Sequence, residues 1–80
     1  MPEFEKIVGR ILAKQRQRAG HTQESLAEVC ELHPTYISQL ERGLKNPTLR
    51  VFFKLSSAMG TTPSALAKKI EKETDKTIPQ

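Results

Sequence analysis

Apolar residues recur along the 80-residue chain at three- and four-residue spacings, and no stretch keeps the strict alternation of a half-buried strand. Phe4, Val8, Ile11 and Leu12 form one such stripe. It predicts a first helix from about Phe4 to Ala19, with Gly20 as its stop because glycine turns left-handed without a side-chain clash. On another face, Lys6, Arg10, Lys14 and Arg18 repeat every fourth residue. Thr22 is a good N-cap for a second helix, about Gln23 to Cys30, with Leu26, Ala27 and Cys30 inward. After the tight connection Glu31-Leu32-His33, Pro34 opens a third helix in the first turn, where its missing N–H costs nothing. That helix turns Ile37 and Leu40 inward and stops near Gly43, and Asn46-Pro47 marks a loop. Thr48 caps a fourth helix running to Met59, which buries Leu49, Phe52, Leu55 and Met59, and Gly60 ends it. Thr62-Pro63 opens a fifth through about Lys72, carrying Leu66 and Ile70. The expected architecture is an all-α, five-helix single domain over residues 1–73 and a polar, flexible tail at 74–80, with no repeat or linker.

Two charges break this pattern. Arg16 continues the stripe Val8–Leu12–Arg16, and Glu41 follows Ile37 by four residues, so both face the core. A lone buried charge is very costly, whereas a hydrogen-bonded Arg–carboxylate pair is tolerated. The two are expected to pair and to tie the first helix to the end of the third, in a structural role.

Charge adds a direction. The net charge is +4 and its distribution is segregated: residues 6–18 hold five bases and no acid, and residues 42–70 hold six bases and no acid. Glu24, Glu28, Glu31 and Glu41 lie between these blocks. Such segregation makes a positive face suited to phosphate. Lys68, Lys69 and Lys72 by themselves read as a solvated face. No apolar run approaches the ~20 residues that cross a bilayer. The first residues carry no secretory pattern, and one cysteine allows no internal disulfide framework. A cytoplasmic protein without a membrane contact is expected. Cys30, His33 and His21 are the candidates for a metal or a Cys/His pair, but Cys30 falls on the inward face of its helix, as a small core residue does, and Ser56 and Ser57 lack a matching base for a nucleophile. Neither catalysis, metal nor cofactor is expected.

The stretch from Thr22 to Gly43 has the form of a helix-turn-helix reader: two short helices, a connection of about three residues, and polar side chains on the outside of the second. Thr35, Ser38 and Gln39 are those side chains, able to hydrogen-bond base edges or phosphates. The chain resembles the lambda-repressor-like Cro/XRE family in Arg16 and Gly20, then Thr22-Gln23-Glu24 and Leu26-Ala27. The likeness continues in Tyr36-Ile37-Ser38, Leu40-Glu41-Arg42-Gly43 and Asn46-Pro47, then Leu55, Ala58 and Gly60. It covers residues ~5–70 and looks most like stand-alone members: phage repressors, restriction–modification controller proteins and antitoxins.

The resemblance implies binding of double-stranded DNA and regulation of transcription. It implies that Gln23 contacts the DNA backbone, that Thr35, Ser38 and Gln39 read bases or adjoining phosphates, and that Tyr36 lies at the DNA surface. Arg42, Lys45 and Asn46 match the loop along the phosphates, and Arg16 and Glu41 match a salt-bridged pair. Three departures cluster at the turn. Glu31 stands where Gly is usual, His33 takes the cap position of Ser or Thr, and Pro34 replaces a polar base-reading residue and offers only apolar contact. One recognition helix reads few base pairs, so a homodimer is expected, with Met59, Ala65, Leu66 and Ile70 at its interface. The alternative is the same fold used to grip a partner protein, as an antitoxin does.

Overall fold

The computed structural model describes the backbone of residues 2–77 and the side chains of residues 3–76. Five helices follow the predicted order: α1 (Pro2–Arg18), α2 (Gln23–Cys30), α3 (Pro34–Glu41), α4 (Leu49–Ala58) and α5 (Pro63–Thr77). No strand occurs among the described residues. α1 packs on both α3 and α5, α2 packs on α3 and α4, and α4 closes against α5. One core results, built from Val8, Leu12, Leu26, Ala27, Cys30, Ile37, Leu40, Leu55, Met59 and Leu66. No described helix is long and apolar enough to cross a membrane.

The helix ends follow from local chemistry. Thr22 accepts a hydrogen bond from the Ser25 amide at 2.9 Å, and the Ser25 hydroxyl accepts from the Thr22 amide at 3.0 Å, a reciprocal cap that fixes the start of α2. His33 does cap α3: its Nδ1 accepts from the Thr35 amide at 3.1 Å. Thr48 accepts from the Val51 amide at 3.1 Å and starts α4. α2 ends on Glu31 in the left-handed region, φ 57 and ψ 43. That conformation costs a non-glycine residue about 1 kcal/mol. It is held because the Leu32 amide donates to the Ala27 carbonyl at 2.8 Å while the Leu32 side chain packs on the core.

Gly9 governs how α1 meets α3. A Cβ built there would lie 2.5 Å from the carbonyl oxygens of both Leu40 and Glu41, so the two backbones touch. Only a glycine permits that approach.

Several expectations are corrected. Leu49 is 73% exposed and Phe4 39% exposed, while Ile7 is buried at 1%. Leu49 is the first residue of α4, ahead of the part that packs, and Ile7 rather than Phe4 closes the lower end of the α1 stripe. α5 runs five residues beyond Lys72, and Thr74 is buried with its hydroxyl donating to the Glu71 carbonyl at 2.9 Å. Residues 71–77 hold no Gly or Pro to stop a helix, and Ile70 and Thr74, four apart, keep an inward edge. Residues 78–80 of the expected tail lie outside the described residues.

Candidate nucleic-acid interface

α2 and α3 are joined by three residues and locked from behind. Arg16 reaches Glu41 through two bonds, Nε to Oε2 at 2.7 Å and Nη2 to Oε1 at 3.1 Å, and its Nη1 donates to the His21 carbonyl at 2.9 Å. The pair is largely buried, with side chains 13% and 9% exposed. The hydrogen bonds that Arg16 donates to Glu41 raise its guanidinium above its ordinary value, against a smaller opposing effect of burial. Glu41 does more than pair: its Oε1 also accepts from Gln23 Nε2 at 2.9 Å. Three elements therefore meet on one carboxylate, namely the end of α1, the start of α2 and the end of α3. Each of the three guanidinium nitrogens finds an acceptor, which is what makes a buried charge tolerable.

The outward residues of α3 divide by exposure. Thr35 is exposed, Ser38 and Gln39 are half-buried, and Tyr36 is half-buried because its ring packs against the core. Pro34 is half-buried at the first helical position. Arg42, at the C-cap, bends back so that its Nε donates to the Ser38 hydroxyl at 3.1 Å. Lys45 and Asn46 are exposed in the following loop. α3 is eight residues long, about 12 Å of helix. Thr35, Ser38, Gln39 and Arg42 occupy one side of it at helical spacing, with Gln23 held beside its far end through Glu41.

Two features were outside the expected set. Gln23 is engaged by Glu41, so its amide is oriented before anything binds. Lys6 packs beside Gly43, where φ is +76 and a built Cβ would fall 2.8 Å from Lys6 Cγ, so α1 brings one more cation to the loop of Lys45. The stripe of bases on α1 was the signal for Lys6. Nothing in the sequence alone pointed to the link between Gln23 and Glu41.

The expected dimer residues separate. Met59 and Leu66 are 2% and 0% exposed, consumed by the protomer's own core, so neither faces a partner. Ala65 is exposed and Ile70 half-buried. Ile70 instead joins Phe4, Leu49 and Phe52 along an open apolar groove of about 800 Å3 between α1, α4 and α5. Cys30 is buried in the core, and burial pushes its thiol up.

This constellation is a helix-turn-helix unit, and comparison with known proteins agrees. The helix-turn-helix family HTH_3 matches residues 12–66. The chain belongs to this Cro/XRE-type family. Control protein C.BamHI of Bacillus amyloliquefaciens is 45% identical over 49 residues, which cover 61% of this chain and 60% of that protein. The chain thus spans less than two thirds of that relative's length. The crystal structure of the restriction–modification controller protein C.AhdI from Aeromonas hydrophila is similar with a TM-score of 0.74 at 32% identity, over 78% of this chain and 94% of that one. The restriction–modification controller protein C.Esp1396I, solved as a tetramer in complex with its natural 35 base-pair operator, is similar with a TM-score of 0.77 at 28% identity, over 88% of this chain and 92% of that one.

Proposed function

We propose that this protein binds double-stranded DNA sequence-specifically as a homodimer and regulates transcription from the site it occupies, in the manner of a controller or repressor. The observation that carries this reading is the outward row Thr35, Ser38, Gln39 and Arg42 on α3, backed by a buried Arg16–Glu41–Gln23 lock that presets its angle against α2. Preset geometry matters because base edges are read by hydrogen bonds that fail over small displacements. The solved operator complex of a similar controller protein supports the same use of the fold.

In this reading α3 enters the major groove. Thr35, Ser38 and Gln39 read base edges, Pro34 offers apolar contact, and Tyr36 lies along the groove edge. Gln23, Arg42, Lys45 and Asn46 grip the phosphates on either side. Ser38 and Arg42 act together, because their mutual hydrogen bond sets both before binding. The groove of Phe4, Leu49, Phe52 and Ile70 is the surface on which a second copy pairs, since the exposed Leu49 and Phe4 join there in one mostly apolar face, edged by Asn46, Glu71, Thr74 and Asp75. The role is binding, with no covalent step, in the cytoplasm where the DNA lies.

Replacement of Gln39 by Ala is expected to relax preference at one base pair by about 1–3 kcal/mol, while Arg42→Gln or Lys45→Gln weakens binding to every duplex and lowers the salt slope by about 1. Fluorescence titration against the selected site and its single-base variants measures both. Equal losses on all duplexes for Gln39→Ala would remove Gln39 from the base-reading set, and no duplex binding even at low salt would favour the partner-protein reading.

A further inference from the structure

We propose that the cleft between α1 and α5 is a second phosphate-binding surface, which takes the backbone of a DNA segment other than the one read by α3. Arg10, Lys14 and Arg18 line one wall and Lys69, Lys72 and Lys76 the other, around an open space of about 350 Å3. All six are exposed. Glu73 is the one acid in the lining, and its 3.8 Å contact with Lys76 is the only ion pair that any of the six makes among the described residues. Six like charges facing one another with a single acid, Glu73, among them repel, and a bound polyanion relieves that repulsion.

The cleft is separate from the face of α3. Gly9 marks the side of α1 that touches α3. Lys14, five residues on, lies about 140° around the helix from it. α1 therefore stands between the two surfaces, and one duplex segment seated on α3 does not reach the far wall of α1. A protein with both surfaces filled holds two stretches of backbone at once.

Charge density and lining favour nucleic acid over an acidic protein segment. Arg10 to Arg18 spans about 12 Å of helix. A duplex carries about seven phosphates over that length of its axis, a density that matches six cations and exceeds that of an ordinary acidic peptide. Protein partners usually anchor through a buried apolar or aromatic group. The only apolar lining residue here is Ile11, which is half-buried, and the lining Gln15 is already used, its Nε2 donating to the Met59 carbonyl at 3.0 Å.

The test uses the full chain and a short fluorescent duplex of random sequence, titrated at several salt concentrations. In an Arg42→Gln/Lys45→Gln background, which weakens the α3 face, salt-sensitive duplex binding persists. Adding Arg10→Gln, Lys14→Gln, Lys69→Gln and Lys72→Gln lowers that remaining affinity at least tenfold and reduces the salt slope by about 3.6. Thermal melting accompanies each variant, and the exposed cleft substitutions leave the midpoint unchanged or raised. Remaining binding that is indifferent to the cleft substitutions overturns the proposal, as does its absence before they are made. Binding of a poly-glutamate peptide, but of no duplex, in that background overturns it in favour of an acidic protein partner. Failure of the α3 reading shows elsewhere, as loss of sequence preference in the unsubstituted protein.

Discussion

Arg16→Ala is expected to destabilise the domain by about 3 kcal/mol, read as a fall of roughly 12–24 °C in the melting midpoint. The substitution removes three hydrogen bonds at once and leaves the Glu41 carboxylate, 9% exposed, with only the neutral amide of Gln23. Breaking a fully buried pair costs about 3–5 kcal/mol, and the slight exposure of both side chains puts this one at the low end. An 80-residue domain holds only about 4–12 kcal/mol in all, so the variant should lose roughly a quarter to three quarters of its stability. The double variant Arg16→Met/Glu41→Leu should regain most of the loss, since the cost lies in stranding a charge and not in removing a pair. Because Glu41 raises the Arg16 guanidinium, the contribution is complete below the ordinary arginine value and fades only as pH rises through the still higher folded value. No change from this pair is expected near neutrality. Urea or thermal unfolding followed by circular dichroism decides the matter, and a loss under 1 kcal/mol would show that the pair does not hold α1 against α3.

Gly9→Ala should also destabilise, by about 2–4 kcal/mol, although in an ordinary helix interior the same change stabilises by about 1 kcal/mol. The new methyl would sit 2.5 Å from two backbone carbonyl oxygens of α3, and neither is the loose end of a flexible side chain. α1 must back away, which opens the Arg16–Glu41 geometry and tilts α3 as well. Unfolding measurements read the sign directly. A stabilised Gly9→Ala variant would contradict the close crossing on which the placement of α3 rests.

The contrast between these two residues shows what the chain discloses. Arg16 and Glu41 were legible because a charge on an apolar stripe violates the burial pattern and demands a partner. Gly9 was not, since a glycine inside a helix looks like a weak point until the crossing of two backbones is known. The starts of α2 and α3 were legible from caps whose chemistry is local, Thr22 and Pro34, whereas the left-handed Glu31 that ends α2 stood out only through the family resemblance. The end of α5 is not legible because polar composition reads as a tail, whereas lysine and glutamate are good helix formers and Thr74 has a buried place to occupy. The burial of Met59 and Leu66 is likewise not legible, because pattern shows that a residue is apolar but not whether its own protomer covers it. In the proposed dimer the exposed Leu49 and Phe4 take their place.

The most direct measurement is selection from a randomised duplex pool at low and physiological salt, with the bound fraction sequenced. A sequence-reading homodimer predicts enrichment of a site with two-fold symmetry and half-sites about 34 Å apart, bound with steep salt dependence. Binding without any enriched sequence would contradict the claim that α3 reads bases.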